Sequence, residues 1–348
     1  MNILITGSGG LVGSEAAAYY LKKGYKVFGI DNNMRRFFFG ADGDVSDNIN
    51  RLKNGNPAYC HIDMDIRDRS MLEPVFKKHS FSRIIHCASQ PSHEKAGLLP
   101  IVDFEVNAVG TLNMLEMARQ YAPEAVFIHT STNKVYGASP NEIPLRELEY
   151  RMDYLRPDDL DGITESCRID QSVHSLFGAS KLAADIVAQE YGRYYGLKVG
   201  IFRAGCITGP NHRGVKLHGF LSYLIKSAVR GQTYQIIGYG GKQVRDIIHS
   251  YDVIQAFEAF SRDPRPGEVY NIGGGRENSV SILEAIELIR QIGRIDVKTE
   301  YFSQPRIGDH ICYITGLKKL KTDFPGWKIT WGLEDIIRQM LETEMAGN

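Results

Sequence analysis

No hydrophobic run in the 348 residues approaches the roughly 18 apolar positions that a membrane-spanning helix requires. An excess of charge of one sign is also missing. Lys plus Arg and Asp plus Glu number 41 each, so no global field draws the chain to nucleic acid or to an anionic membrane. Any anionic ligand must then be held by a few placed cations. The five cysteines, Cys60, Cys87, Cys167, Cys206 and Cys312, are odd in number, widely spaced and without a C-x-x-C pair. This pattern fits reduced thiols better than a disulfide framework or a zinc site. No charged, then apolar, leader pattern opens the sequence, and it holds no repeat, low-complexity tract or long linker. The expectation is a soluble, cytoplasmic protein without metal, built as one large α/β domain or two lobes.

What is there begins with a short apolar run, Asn2 to Thr6, followed at once by Gly7, Gly10 and Gly13 in a G-x-x-G-x-x-G pattern that leads into a helical run, Ser14 to Lys23. Glycines at a strand-to-helix turn let the backbone approach a pyrophosphate, and the helix N-terminus faces its charge. A second strand, Lys26 to Ile30, ends at Asp31, eighteen residues after Gly13. A carboxylate there accepts ribose hydroxyls and repels a 2′-phosphate, favouring NAD over NADP, although Arg35 and Arg36 stand close by. Apolar runs at 83–86 and 125–130 alternate with helical patterns at 70–78 and 102–121. That order predicts a parallel doubly wound sheet of Rossmann type.

These segments resemble, in order, those of the extended short-chain dehydrogenase/reductases. The glycine loop with Leu11 and Val12, the strand end with Asp31, Asn32 and Arg35, the pair Asp65 and Ile66, and the run from His86 through Ala88 to Gln90 are similar to that family's cofactor site. Asn107 matches its central helix, and Ser131-Thr132-Asn133-Lys134-Val135-Tyr136-Gly137 its S-[ST]-x-x-V-Y-G strand end. The resemblance implies NAD as cofactor and a nucleotide-linked sugar as substrate. Thr132 would then be the hydrogen-bonding hydroxyl and Lys181 the cation beside the nicotinamide ribose. It also implies a dinucleotide-binding domain over 1–204, with residues 142–172 inserted as a possible lid, and mainly a substrate lobe over 205–348. In that lobe His218 and Phe220 fall where base and sugar are received, Arg245 and Arg306 where the diphosphate is gripped, and Cys206 where 4-epimerases carry an asparagine that touches the phosphate. Helical runs at 102–121 and 176–195 resemble the pair through which the family forms two-fold dimers. A narrower likeness, carried by residues 132–137 and 241–246, is to the branch that epimerises CDP-linked sugars at C2.

One family group is absent. The tyrosine base belongs four residues before the lysine, one turn away on the same helix face. Here that position is Phe177, which fills the volume but carries no proton. His174, His93 or Cys206 acting as base, a relay through substrate hydroxyls and water, or loss of the redox step with only ligand binding retained are the readings left open. Asn133 and Lys134 replace the acidic pair a 4,6-dehydratase needs after its threonine, which disfavours that reaction. C4 epimerisation of a UDP-sugar remains the enzymatic alternative.

Overall fold

The computed structural model describes residues 1–216, 218–305 and 308–346. They form two compact units, one of residues 1–135, 176–203 and 254–270, the other of 136–175, 204–253 and 271–348.

The first unit is built on a seven-stranded sheet. Its spatial order is Glu268–Ile272, Val199–Ala204, Val126–Thr132, Phe81–His86, Asn2–Thr6, Lys26–Ile30 and Tyr59–Ile62. The four pairs around the first strand run parallel. Leu4, Phe28, Ile84 and Phe127 of these strands pack with Met114, Leu115 and Ala188 of the covering helices in one buried cluster. Strands buried on both faces read as continuous apolar runs, the signal the sequence carried. This is the expected doubly wound Rossmann-type architecture. Register places Thr6 beside both Ile30 and His86, and His86 beside His129, so the carboxyl ends of four strands share one edge. Strand order reverses beside the first strand, the topological switch point where such sheets bind ligands.

Local detail departs from the periodicity. The helix expected over 102–121 is interrupted: Pro100–Phe104 leads through a wide π turn, Glu105–Val109, into Gly110–Tyr121. Between Asp31 and Asp65 lie two helices, Met34–Phe39 and Ser46–Gly55, and the strand Tyr59–Ile62, all in a polar stretch with little apolar pattern.

In the second unit, Val244–His249 pairs with Ser279–Ser281, Cys312–Tyr313 and Cys206–Thr208. Helices Phe220–Val229, Ile282–Gly293 and Leu333–Ala346 enclose its core. The segment 142–172, read as an insert in the first domain and a possible lid, groups with this unit and is tied down within it. Met152 N donates to Lys242 O at 2.8 Å, Ile163 N to Ile314 O at 2.7 Å, and Arg276 grips Asp153 at 3.0 Å.

Candidate active site

The glycine loop leaves no room for side chains where its backbone turns. Gly7 has φ +68°, and a Cβ there would stand 2.7 Å from the Ala88 nitrogen; one on Gly13 would stand 2.1 Å from the Gly7 carbonyl oxygen. Helix Leu11–Lys22 is thereby pressed against the end of the first strand, its N-terminus on the sheet edge. A Cβ on Gly10 meets only the Gly7 oxygen, at 3.3 Å. Asp31 is oriented by two backbone donors, Gly9 N at 2.8 Å and Asn33 N at 2.7 Å. Burial raises its pKa, and those two bonds oppose the shift. Asn32 donates to Asp65 at 3.1 Å, while Asp65 also receives the Arg67 guanidinium at 2.8 Å. Arg35 lies over the Phe39 ring at 4.9 Å, and burial lowers its pKa to about 10. Ile66 belongs to the core, so only its backbone can face an adenine.

Lys181, 4% exposed, donates to the Thr130 carbonyl at 2.9 Å. Its ammonium is thus tethered at the strand end that carries Thr132. Burial pushes the Lys181 pKa down to about 8, against the fields of Asp185, Cys87 and Asp103. Thr132 is half-buried, its hydroxyl accepting from Lys134 N at 3.3 Å. The Ser131 hydroxyl donates to Asp185 at 2.6 Å, and Asp185 pairs with Arg203 at 2.8 Å. His86 bridges Thr6 and Thr111, and burial lowers its pKa to about 3.

Two side chains expected beside the ligand make hydrogen bonds within the protein. The Gln90 side chain donates to Ser92 O at 2.9 Å and to Asp103 at 2.6 Å, and accepts from Ser92 N at 2.5 Å. Asn107 accepts from Gln90 N and donates to Gln90 O, Asp103 and Ser180. Both side chains belong to a buried network that positions the segment 88–93. Asp103, its hub, also accepts from Ser180 at 2.5 Å. The sequence reading missed Asp103 and Asp185. Their only local signals are their i, i+4 spacings to Asn107 and from Lys181.

Phe177 is 6% exposed and one turn before Lys181 on helix Ser175–Tyr195. The ring in edge-to-face contact with it is the imidazole of His93, with centroids 5.0 Å apart. His174 belongs to the second unit, where its Nδ1 donates to Ser172 O at 2.7 Å.

Also in the second unit, Arg245 is buried and donates to Asp309 and, at 2.7 Å, to Val244 O. Burial opposes its charge, but the Asp309 carboxylate prevails and raises its pKa. Cys206 is half-buried, on the strand paired with Val244–His249. His218 and Phe220 line a small cavity with Lys216, Tyr223 and Tyr234, and Phe220 also rests on the core. Arg306 lies outside the described residues. No cluster of metal-ligating side chains occurs among the described residues, and no helix there is long and apolar enough to cross a membrane.

A glycine cradle at the switch point, a carboxylate at the second strand end and a lysine tethered beside a threonine are the parts of a dinucleotide-dependent enzyme. The chain matches the NAD dependent epimerase/dehydratase family over residues 3–273 and belongs to it, and NAD is its cofactor. It is similar to the CDP-paratose 2-epimerase of Salmonella typhi, at 32% identity over 98% of both proteins. It is 29% identical to the dTDP-glucose 4,6-dehydratase of Haemophilus influenzae, over 96% of this chain and 90% of that one. Among solved structures, the Thermotoga maritima UDP-glucose 4-epimerase with UDP-glucose superposes with a TM-score of 0.81 at 25% identity, covering 100% of this chain and 99% of the other.

Proposed function

We propose that this protein is an epimerase of a CDP-linked sugar, acting at C2 by transient oxidation and reduction. The observation that carries this reading is the retained pair Thr132 and Lys181 at the strand edge, in a chain whose similarity to a CDP-paratose 2-epimerase runs end to end. Gly7, Gly13 and Asp31 fit a dinucleotide: the loop has the bare backbone a pyrophosphate needs, and Asp31 the acceptor a ribose needs. Bound NAD supplies a reversible acceptor for the hydrogen leaving the carbinol carbon. The Thr132 hydroxyl donates to the sugar oxygen as charge develops on it. The Lys181 cation lowers the cost of that charge in a site from which burial excludes water. Asn133 and Lys134 offer no acid–base pair for expelling water, which sets the chain apart from dehydratase chemistry. Arg245, a planar fork with donors beyond those spent on Asp309 and Val244, is the diphosphate grip in the second unit, which receives the sugar and base.

The test is incubation of the purified protein with CDP-, UDP- and GDP-sugars, with the product's inverted stereocentre identified. Inversion at C2 of a CDP-sugar is expected. Inversion at C4 of a UDP-sugar would replace this reading with the 4-epimerase one. Phe177 favours one further reading, a protein that binds NAD and nucleotide sugar without turnover. Retained NAD and measurable nucleotide-sugar binding without turnover on any panel member would favour it.

Asp31 sets the cofactor preference. A hydrogen bond to a charged group contributes about 1.5–3 kcal/mol, so NAD is expected to bind at least about tenfold more tightly than NADP at equal salt. Asp31→Ser should narrow that gap in a fluorescence titration. Equal wild-type affinities would instead assign a 2′-phosphate site to Arg35 or Arg36.

The protein is proposed to be a cytoplasmic homodimer. Ile101 and Phe104, Leu112 of helix Gly110–Tyr121, and Leu176, Ile186 and Tyr194 of helix Ser175–Tyr195 are exposed apolar side chains of the kind a subunit interface covers. Light scattering at micromolar concentration should give twice the 39.0 kDa chain mass. A 39.0 kDa species alone would contradict it.

A further inference from the structure

We propose that His93 is the proton-transfer group that stands in for the missing phenol, an inference that rests on the epimerase reading above. Phe177 occupies the family's tyrosine position, and the imidazole packed edge-to-face on its ring, at 5.0 Å between centroids, comes from His93. His93 opens a short helix, His93–Leu98, whose N-cap Ser92 accepts from Lys95 N. The backbone just before it is locked to the helix that carries Phe177 and Lys181. Gln90 N and O both bond Asn107, Asn107 donates to Ser180 at 3.0 Å, and Asp103 joins Ser180 to Gln90. Ser180 lies between Phe177 and Lys181 in sequence, so this network ties the segment leading into His93 to the turn where a base is required, and the ring contact with Phe177 places the imidazole there. His93 is only half-buried, which leaves it a path to exchange a proton with solvent.

The chemistry balances with these groups. The sugar O–H bond breaks and its proton passes to a ring nitrogen of His93. The C–H hydrogen leaves with its electron pair to NAD, and the carbonyl bond forms. On the return, the same hydrogen is delivered to the opposite face and His93 gives the proton back to the oxygen. The charged groups on the elements that meet here are Glu94 and Lys95 on its own helix, Asp103 on the next, and Lys181 on the long helix. Lys181 is spent on the Thr130 carbonyl and Asp103 on Gln90, Asn107 and Ser180, so the imidazole is the proton-transfer group left at the Phe177 ring.

The experiment measures kcat against pH for the NAD-containing wild type, His93→Gln, His174→Gln and His93→Gln/Phe177→Tyr, on whichever panel sugar is turned over, with bound NAD per chain quantified after heat release. Wild type should show an acid limb in kcat that reports protonation of the base. His93→Gln should keep its NAD, lose that limb and fall by about 10²–10⁴-fold in kcat. The added tyrosine should recover at least about tenfold of that loss, because a phenol one turn from Lys181 is a competent base. Wild-type turnover with His93→Gln within about threefold and its acid limb intact would overturn the assignment while leaving the epimerase reading standing. Loss of the limb in His174→Gln in place of His93→Gln would overturn it equally. Absence of wild-type turnover on every sugar would overturn the epimerase reading, and the assignment with it.

Discussion

Lys181→Met is expected to lower kcat by about 10²–10³-fold, the loss found when one preorganised donor is removed from a site of developing negative charge. The substitution should not unfold the chain. Asp185, the charge nearest in effect, keeps Arg203 at 2.8 Å, Ser131 at 2.6 Å and Gln189 at 2.7 Å. Asp103 keeps Gln90, Asn107 and Ser180. A buried ammonium with a pKa of about 8 also carries a pH dependence. Below that value Lys181 is protonated and the transition-state charge is met; above it the site loses its cation. The rate of the wild type should therefore fall as pH rises through about 8, and Lys181→Met should show no such alkaline limb. Steady-state kinetics between about pH 6 and 10 check both points. A Lys181→Met protein within tenfold of wild type would remove Lys181 from the chemistry.

The second large effect concerns Arg245. Arg245→Lys keeps a positive charge but loses the planar fork, so its expected result is a rise of about ten- to hundredfold in substrate KM with kcat little changed, the signature of lost uniform binding. Arg245→Ala is the poorer test. It strips the partner from Asp309, and a carboxylate left without its cation lowers stability as well as affinity. Asp309→Asn separates the two contributions: it loosens Arg245 without removing the fork, and should raise KM less than Arg245→Lys does. An unchanged KM in Arg245→Lys would return Arg245 to a purely structural pair.

How much of this was legible in the sequence follows from the range of the interactions involved. Gly7, Gly13 and Asp31 declare themselves because a strand-to-helix turn, a close backbone approach and a strand-end carboxylate are local events with fixed spacing. Phe177 is equally legible as an absence, since a four-residue step on a helix fixes where a tyrosine must stand. The Asp103, Gln90, Asn107 and Ser180 network joins residues up to 77 positions apart, and no short pattern encodes it. For the same reason the bonds that the Gln90 and Asn107 side chains make inside the fold have no signature in the sequence. Among His174, His93 and Cys206, the sequence reading puts His174, three residues before Phe177, first as the candidate base. Only packing shows which imidazole lies on the Phe177 ring. Residues 142–172 read as a free loop because they are polar and interrupted by Pro157 and Gly162, while the bonds that hold them come from residues as distant as 242, 276 and 314.

The central claim, transient oxidation at C2 in a site without the family phenol, is tested most directly by turning over a C2-deuterated CDP-sugar with the NAD-containing protein and locating the deuterium in the product. The expected result is the C2 epimer with deuterium retained at C2, accompanied by transient absorbance of reduced cofactor during a single turnover. An epimer whose deuterium has exchanged with solvent would contradict the account, because it would mean that C2 is inverted by direct deprotonation and not by removal and return of the same hydrogen.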